Sequence, residues 1–120
     1  MASSNYNITV ESGETFSDVI TWNDSNGNPI NNTGYTANMD VRDNQENLIV
    51  NLNTTPISGG GSITLGGSNG QITLALSSTV TQGLTPGDYL YDLFMVSSGG
   101  SATRLVYGVF TLVARTSSNV

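Results

Sequence analysis

The chain of 120 residues contains no cysteine, no histidine and no lysine. Without cysteine it has neither a disulfide framework nor a thiolate metal site, so packing alone must hold the fold, as in a reducing compartment. Without histidine or lysine, the usual general bases that activate a serine or threonine nucleophile are missing. No two carboxylates are predicted to converge in a cleft. We therefore expect no enzymatic activity, no catalytic residue, no metal and no cofactor.

Positive charge is also scarce, because only Arg42, Arg104 and Arg115 oppose nine acidic residues, for a net charge of −6. Nucleic-acid binding requires a cationic stripe that neutralises phosphates, and three scattered arginines cannot form one. An anionic membrane surface is disfavoured for the same reason. The sequence has no apolar run of membrane-spanning length, and "MASSNYNITV" lacks the features of a signal peptide. We expect synthesis in a cytoplasm.

The residues that are abundant are those of a β protein with many turns. Apolar residues make up 37 % and charged residues only 10 %, and the chain contains 14 glycines. Alternating apolar residues between turn signals predict strands, with inward sets such as Ala37, Met39 and Val41. A single helical turn capped by Ser77 or Ser78 is expected within residues 77–84, before the next strand begins. The predicted strands cover residues 6–10, 15–22, 35–43, 47–53, a short stretch within 58–70, 71–77, 87–96 and 103–113.

The last two predicted strands should form an antiparallel hairpin around the loop "SSGGSA". If the loop is centred near Gly99, Leu93 lies opposite Leu105 and Tyr91 opposite Tyr107. The other face of the hairpin is then too apolar to lie wholly in water, which makes it a candidate interface. The candidate interface residues are Phe94, Val96, Arg104, Val106, Phe110 and Leu112.

Seven to eight short strands without helices predict an all-β fold, an immunoglobulin-like antiparallel two-sheet β-sandwich. We expect one domain over residues 1–120, with short polar tails at about 1–5 and 115–120. In "GDYLY" Tyr89 fits the corner tyrosine of such sandwiches, whose hydroxyl bonds to upstream backbone. Tyr91 then takes the place of a core cysteine. Trp22, however, lies on an early strand rather than at the antibody-type position.

Three further patterns have ordinary structural explanations. "DSNGNP" starts like a calcium-binding loop, but Pro29 and Tyr35 occupy the positions that need glycine and glutamate, so we expect a polar turn. Either Asp40 with Arg42 or Asp92 with Arg104 is placed to form a surface ion pair. Asp18 interrupts the apolar alternation of residues 15–22, so we expect a bulge near it.

The segments "DSNGNPINNTGYTANMDVR", "GQITLALS" and "GDYLYDL" resemble small immunoglobulin-like phage virion proteins, and the resemblance extends over roughly residues 5–115. Relatives in that family include the N-terminal domain of phage baseplate upper proteins. The resemblance implies a non-enzymatic structural protein of a virion, as capsid decoration or cement, or as a tail or baseplate component. It implies other virion proteins as partners, such as major capsid or tail subunits, and a homo-oligomer in the particle.

The alternative is a β-sandwich that binds carbohydrate or a host surface. Tyr6, Trp22 and Tyr107 are candidates for an aromatic platform on which a sugar ring would stack. The long loops are rich in asparagine, serine and glycine and contain no tryptophan, which argues against this alternative.

Overall fold

The computed structural model describes residues 4–114, and within them nine strands form one curled sheet. The all-β expectation is confirmed. The strands are β1 (Ser4–Asn5), β2 (Ile8–Glu11), β3 (Phe16–Thr21), β4 (Thr36–Arg42), β5 (Leu48–Asn53), β6 (Gly61–Leu65), β7 (Gln71–Leu76), β8 (Gly87–Val96) and β9 (Ala102–Val113).

The sheet is mixed, with the strand order β1-β9-β8-β4-β5-β6-β7-β3 and β2 also paired to β9. β1 and β2 run parallel to β9, and β5 runs parallel to β6. The other pairings are antiparallel. The expectation of a purely antiparallel sheet is therefore wrong at three pairings. Parallel pairs join strands that no tight hairpin can connect, so local turn signals do not reveal them.

One hydrophobic core lies inside the curl of the sheet. The predicted inward sets are confirmed in β4 and β7, where apolar side chains are buried at every second position. The largest fully buried side chains include Phe110, Met39, Leu52, Ile72, Leu74, Leu76, Leu93, Met95 and Leu112.

The predicted helical turn is present as α1 (Ser78–Gln82), and the side chain of Ser77 caps it by accepting a hydrogen bond from the Val80 amide. On this turn Thr81 is fully buried. Its hydroxyl donates to the Glu14 carbonyl over 2.8 Å and accepts from the Gly13 amide over 3.1 Å. Thr81 thereby fastens α1 to the turn between β2 and β3.

No bulge interrupts β3, whose register with β7 is continuous from Phe16 to Thr21, so the bulge expected near Asp18 is wrong. Asp18 is accommodated in another way. Its carboxylate accepts a hydrogen bond from the Tyr6 hydroxyl, which lies in the gap between β1 and β2. A half-buried carboxylate on the inward side of a strand thus has a polar partner.

Both tyrosines of "GDYLY" make hydrogen bonds to backbone. The Tyr89 hydroxyl donates to the Thr85 carbonyl, as predicted for a corner tyrosine. Tyr91 is buried in the core, and its hydroxyl donates to the Tyr6 carbonyl. Tyr91 therefore links β8 to the N-terminal segment.

The hairpin of β8 and β9 contains a bulge that decides which side chains face the core. From Val96–Ala102 to Phe94–Arg104 the observed pairs follow the predicted register. The register then shifts by one residue, so Leu93 lies opposite Val106 rather than Leu105. A shift of one residue exchanges the two faces of a strand. The placement of Val106, Phe110 and Leu112 on the outer face is therefore wrong, because all three are buried.

Tyr6 and Asn7 separate β1 from β2. At these two residues a side-chain bond and a backbone bond to β9 replace the regular strand pairing. The Asn7 side-chain oxygen accepts from the Val109 amide over 3.0 Å, and the Tyr6 amide donates to the Tyr107 carbonyl over 2.8 Å. Gly108 lies directly against this segment, because a Cβ there would be 2.6 Å from the Tyr6 carbonyl oxygen. The first strand can approach β9 this closely only because residue 108 has no side chain. The N-terminal positions 4–5, predicted as a polar tail, form β1, whereas 1–3 and 115–120 lie outside the described residues.

The link through Tyr91 predicts a specific response to alkali. Burial, and next the nearby Tyr6 and Asp18, raise the pKa of Tyr91 above its ordinary value of 10.0. The hydrogen bond to Asp18, followed by burial, also raises the pKa of Tyr6. The folded state thus holds these protons more tightly than the unfolded state does. Their contribution to stability is full below pH 10 and is lost as the pH rises above it.

We expect the free energy of unfolding to fall above pH 10 by up to about 1.4 kcal/mol per pH unit through buried Tyr91, and by less through Tyr6, whose exposed side chain is screened by solvent. Tyr91→Phe removes one of these protons and one hydrogen bond. It should cost about 1 kcal/mol at pH 7 and make the alkaline fall shallower. Denaturant unfolding followed between pH 7 and pH 12 measures both effects. An equally steep fall in Tyr91→Phe would contradict the assignment.

Candidate interaction surface

The side of β5, β4, β8 and β9 that faces away from the core is called the outer face here. Its side chains form rows across the four strands, because the register fixes which residues lie opposite one another. The rows are Leu48–Arg42–Leu90–Val109, Asn51–Asp40–Asp92–Tyr107 and Asn53–Asn38–Phe94–Arg104.

The first row brings two exposed leucines to either side of an arginine. Leu48 is 48 % exposed and Leu90 is 59 % exposed, and both are register partners of Arg42. A bulge between Val41 and Arg42 turns Leu48 outward, because Val41 pairs with Val50 whereas Arg42 pairs with Leu48. Two large apolar side chains are therefore exposed to water on this face, one on each side of Arg42.

The second row places two carboxylates side by side at the centre of the face, since Asp40 is the register partner of Asp92. Like charges directly opposite each other are unfavourable unless they are compensated. Asp40 receives this compensation from Arg42, at 3.0 Å, and from the side-chain amide nitrogen of Asn51, which donates to it over 2.7 Å. The predicted Asp40–Arg42 ion pair is confirmed. Asn51 and Asn53 also donate to Asn38, which fixes the polar side of the face.

A shallow cavity of about 390 Å³ opens beside the Arg42–Leu90 pair. Arg42 crosses it, because one guanidinium nitrogen donates to Asp40 and another donates to the Glu46 carbonyl over 3.0 Å. The Asn47 amide, helped by the Asn47 side chain and the Gln45 amide, lowers the pKa of Asp43. This carboxylate stays charged, and it orders the β4–β5 turn. The cavity is lined by Asp40, Arg42, Asp43, Glu46, Leu90, Tyr91 and Asp92. The expectation that no two carboxylates converge in a cleft is therefore wrong, because four of them line this cavity.

A second shallow cavity, of about 340 Å³, continues the face toward β1. Arg104 lies over the ring of Tyr107, with its guanidinium carbon 4.6 Å from the ring centre. This distance allows a cation–π interaction that holds both exposed side chains in place. Asn5, Leu90 and Asp92 are also among its lining residues.

The six candidate interface residues do not share one surface. Phe94 and Arg104 are exposed on the outer face, and Val96 is half-buried at its end. Val106, Phe110 and Leu112 lie in the core, so the bulge divides the predicted set into two halves.

Sequence reasoning missed Leu48, Leu90 and Tyr107 as members of the face. Leu90 was detectable, because it alternates in phase with Asp92 and Phe94. Leu48 and Tyr107 were not detectable in this way, because both lie beyond a bulge that reverses the alternation.

The other candidate sites are structural. The Asp24 carboxylate accepts from the amides of Asn26 and Asn28, at 2.9 and 3.0 Å, as expected for a polar turn. Trp22 is buried in edge-to-face contact with Tyr35, whose ring centre is 5.6 Å away, so it forms no open platform with Tyr6 and Tyr107. In the described part of the chain, no three acidic side chains are arranged to hold a metal ion. No helix between residues 4 and 114 is long and apolar enough to cross a membrane.

Comparison with known proteins leaves the family open, since no protein-family model matches the chain and no curated protein matches it significantly.

Proposed function

We propose that this chain is a non-enzymatic structural protein of a bacteriophage virion that binds neighbouring virion subunits through the outer face. Its place would be on the head as decoration or cement, or in the tail or baseplate. The partners would be major capsid or tail and baseplate subunits, and several copies would assemble in one particle. The proposal combines the resemblance of the sequence with one structural observation, the exposed apolar side chains on one face of the sheet.

We further propose that the curled sheet is an immunoglobulin-like sandwich. One layer would consist of β9, β8, β4 and β5 together with β1 and β2, which both pair with β9, and the other of β3, β7 and β6. The corner would lie at the short β5–β6 pairing of Leu52–Gly61 and Asn53–Ser62. Tyr89 at the predicted corner position and the N-terminal strand β2, which runs parallel to the last strand β9, support this interpretation. In such a layer the outer face is the broad solvent-facing side of the larger sheet.

The observation that carries the proposal is the exposure of Leu48, Leu90, Phe94 and Tyr107 on one face. Apolar side chains that are exposed together on one face of a protein mark sites of protein–protein contact. On this face they lie around the Asp40–Asp92 pair. The carbohydrate-binding alternative has less support. Trp22 is buried, and the Tyr107 ring, on which a sugar would stack, is already in contact with Arg104.

The test is incorporation of variants into particles of the phage that carries the gene. Leu48→Ser with Leu90→Ser removes exposed apolar surface and should leave the fold intact. We expect the amount of this variant bound per purified particle to fall by about tenfold, the effect of losing about 1.4 kcal/mol of binding.

Val19→Ser with Ile57→Ser is the matched control, since these side chains are 50 % and 55 % exposed and lie away from the outer face. The control should be incorporated like the wild type. Equal incorporation of both variants would contradict the role of the outer face, and absence of the wild-type protein from particles would contradict the virion assignment.

A further inference from the structure

We infer that the outer face binds a basic patch of a different protein, and that a lysine or arginine side chain of that partner enters the cavity beside Leu90. The inference rests on the proposed function only in taking the outer face as a protein-binding surface. It adds the chemistry of the partner and excludes a second copy of this chain as the occupant of this face.

The charges of the residues that line the cavity favour the binding of a cationic side chain. Four carboxylates, those of Asp40, Asp43, Glu46 and Asp92, line it together with one guanidinium, that of Arg42. Arg42 donates hydrogen bonds to the Asp40 carboxylate and to the Glu46 carbonyl, so the Asp40 carboxylate largely neutralises its charge. The cavity thus keeps an excess of negative charge in a chain whose net charge is −6. A complementary positive patch would be steered toward it and oriented on it.

The leucines on either side of Arg42 favour a cation that carries a long aliphatic stem. Lysine and arginine bury their methylene groups against apolar surface and keep the charged end in polar surroundings. Leu90 lies on the cavity wall, and Leu48 lies on the far side of Arg42. A partner side chain that packs on Leu90 would thus bring its charged end to the carboxylates of the cavity.

A second copy of this chain fits the face poorly. A two-fold contact places the same patch against itself. The centre of the patch is the Asp40–Asp92 pair, so self-association would bring the carboxylates of two copies together. Each copy would bring the four carboxylates of the cavity and one guanidinium, that of Arg42, which is already bonded to Asp40, so removing these charges from water against a second copy would be costly. Contacts between copies in an assembly would therefore use another surface.

The experiment is an NMR titration of the ¹⁵N-labelled protein at low ionic strength with N-acetyl-L-arginine amide. N-acetyl-L-citrulline amide, which has nearly the same shape and no charge, is the comparison ligand. We expect saturable shifts of the amides around Asp40, Glu46, Leu90 and Asp92 with the arginine compound only. The dissociation constant should be of millimolar order, as for a single exposed contact.

Two double variants that change the net charge by the same amount distinguish the effect of the cavity carboxylates from the effect of net charge. Glu46→Gln with Asp92→Asn removes two carboxylates from the cavity, and Glu11→Gln with Glu14→Gln removes two exposed carboxylates elsewhere. The first variant should weaken binding of the arginine compound at least about threefold, whereas the second should change it little.

Three results would overturn the inference: equal binding of the citrulline compound, equal weakening in both variants, or shifts at these same amides that depend on protein concentration alone. Each leaves the virion assignment standing, because that assignment is tested by incorporation into particles. Conversely, selective arginine binding by a protein absent from particles would support the inference and contradict the proposed function.

Discussion

Phe110→Ala is expected to lower the free energy of unfolding by about 3–5 kcal/mol, because a fully buried aromatic ring is removed from the centre of the core. The ring of Phe110 lies edge-to-face with that of Phe16, at 6.4 Å between centres, so the variant loses this contact and leaves a cavity. Such a loss is a large part of the stability of a domain of this size. Denaturant unfolding followed by circular dichroism measures it.

Phe94→Ala is the matched control, because the ring of Phe94 is 36 % exposed on the outer face of the neighbouring strand. It should cost less than about 1 kcal/mol. If the two variants unfold at the same denaturant concentration, Phe110 is not in the core, and the bulge between Leu93 and Phe94 is misplaced.

Gly108→Ala is the second change for which we expect a large effect, a loss of about 2–3 kcal/mol. The added Cβ would lie 2.6 Å from the Tyr6 carbonyl oxygen and 2.8 Å from the Asn7 side-chain oxygen. The N-terminal segment would have to move away from β9, which breaks the Asn7–Val109 hydrogen bond. Hydrogen exchange at the Val109 amide, measured beside denaturant unfolding, should therefore become faster.

Gly99→Ala is the matched control, since a Cβ there would meet only the Ser97 hydroxyl, at 3.9 Å. We expect little change in stability and no change in exchange at Val109. Protection of Val109 in Gly108→Ala as strong as in the wild type would show that β9 and the N-terminal segment are not in close contact.

The strands and their inward residues were predictable where alternation is unbroken. Met39 in β4 and Leu74 in β7 are buried as expected, because period-two patterning is a local property of the sequence. The capping role of Ser77 and the backbone bond of Tyr89 were also predictable, since each depends on residues a few positions away.

The two bulges were not predictable from the pattern. In the sequence "TRLVYG", around residue 105, apolar residues occur at both odd and even positions, so the alternation does not show which of them face the core. The contacts with β8 and with the N-terminal segment determine this. The parallel pairing of β2 with β9 and of β5 with β6 was also not predictable, because it depends on contacts that local turn signals do not reveal. These contacts determine which half of the predicted interface remains on the surface.

The outer face was therefore only partly predictable. Phe94 and Arg104 lie before the bulge and were placed correctly, whereas the cavity around Arg42 required the three-dimensional neighbours Glu46 and Asp92.

The most direct measurement is the copy number of this chain in purified phage particles, from quantified peptides relative to those of the major capsid protein. For a structural protein of the virion we expect a fixed ratio that does not fall through successive purification steps. A ratio comparable to that of the capsid protein would place the chain on the head, and a small fixed number would place it in the tail or baseplate. Absence of the chain from particles, while it is present in the infected cell, would contradict a structural role in the virion.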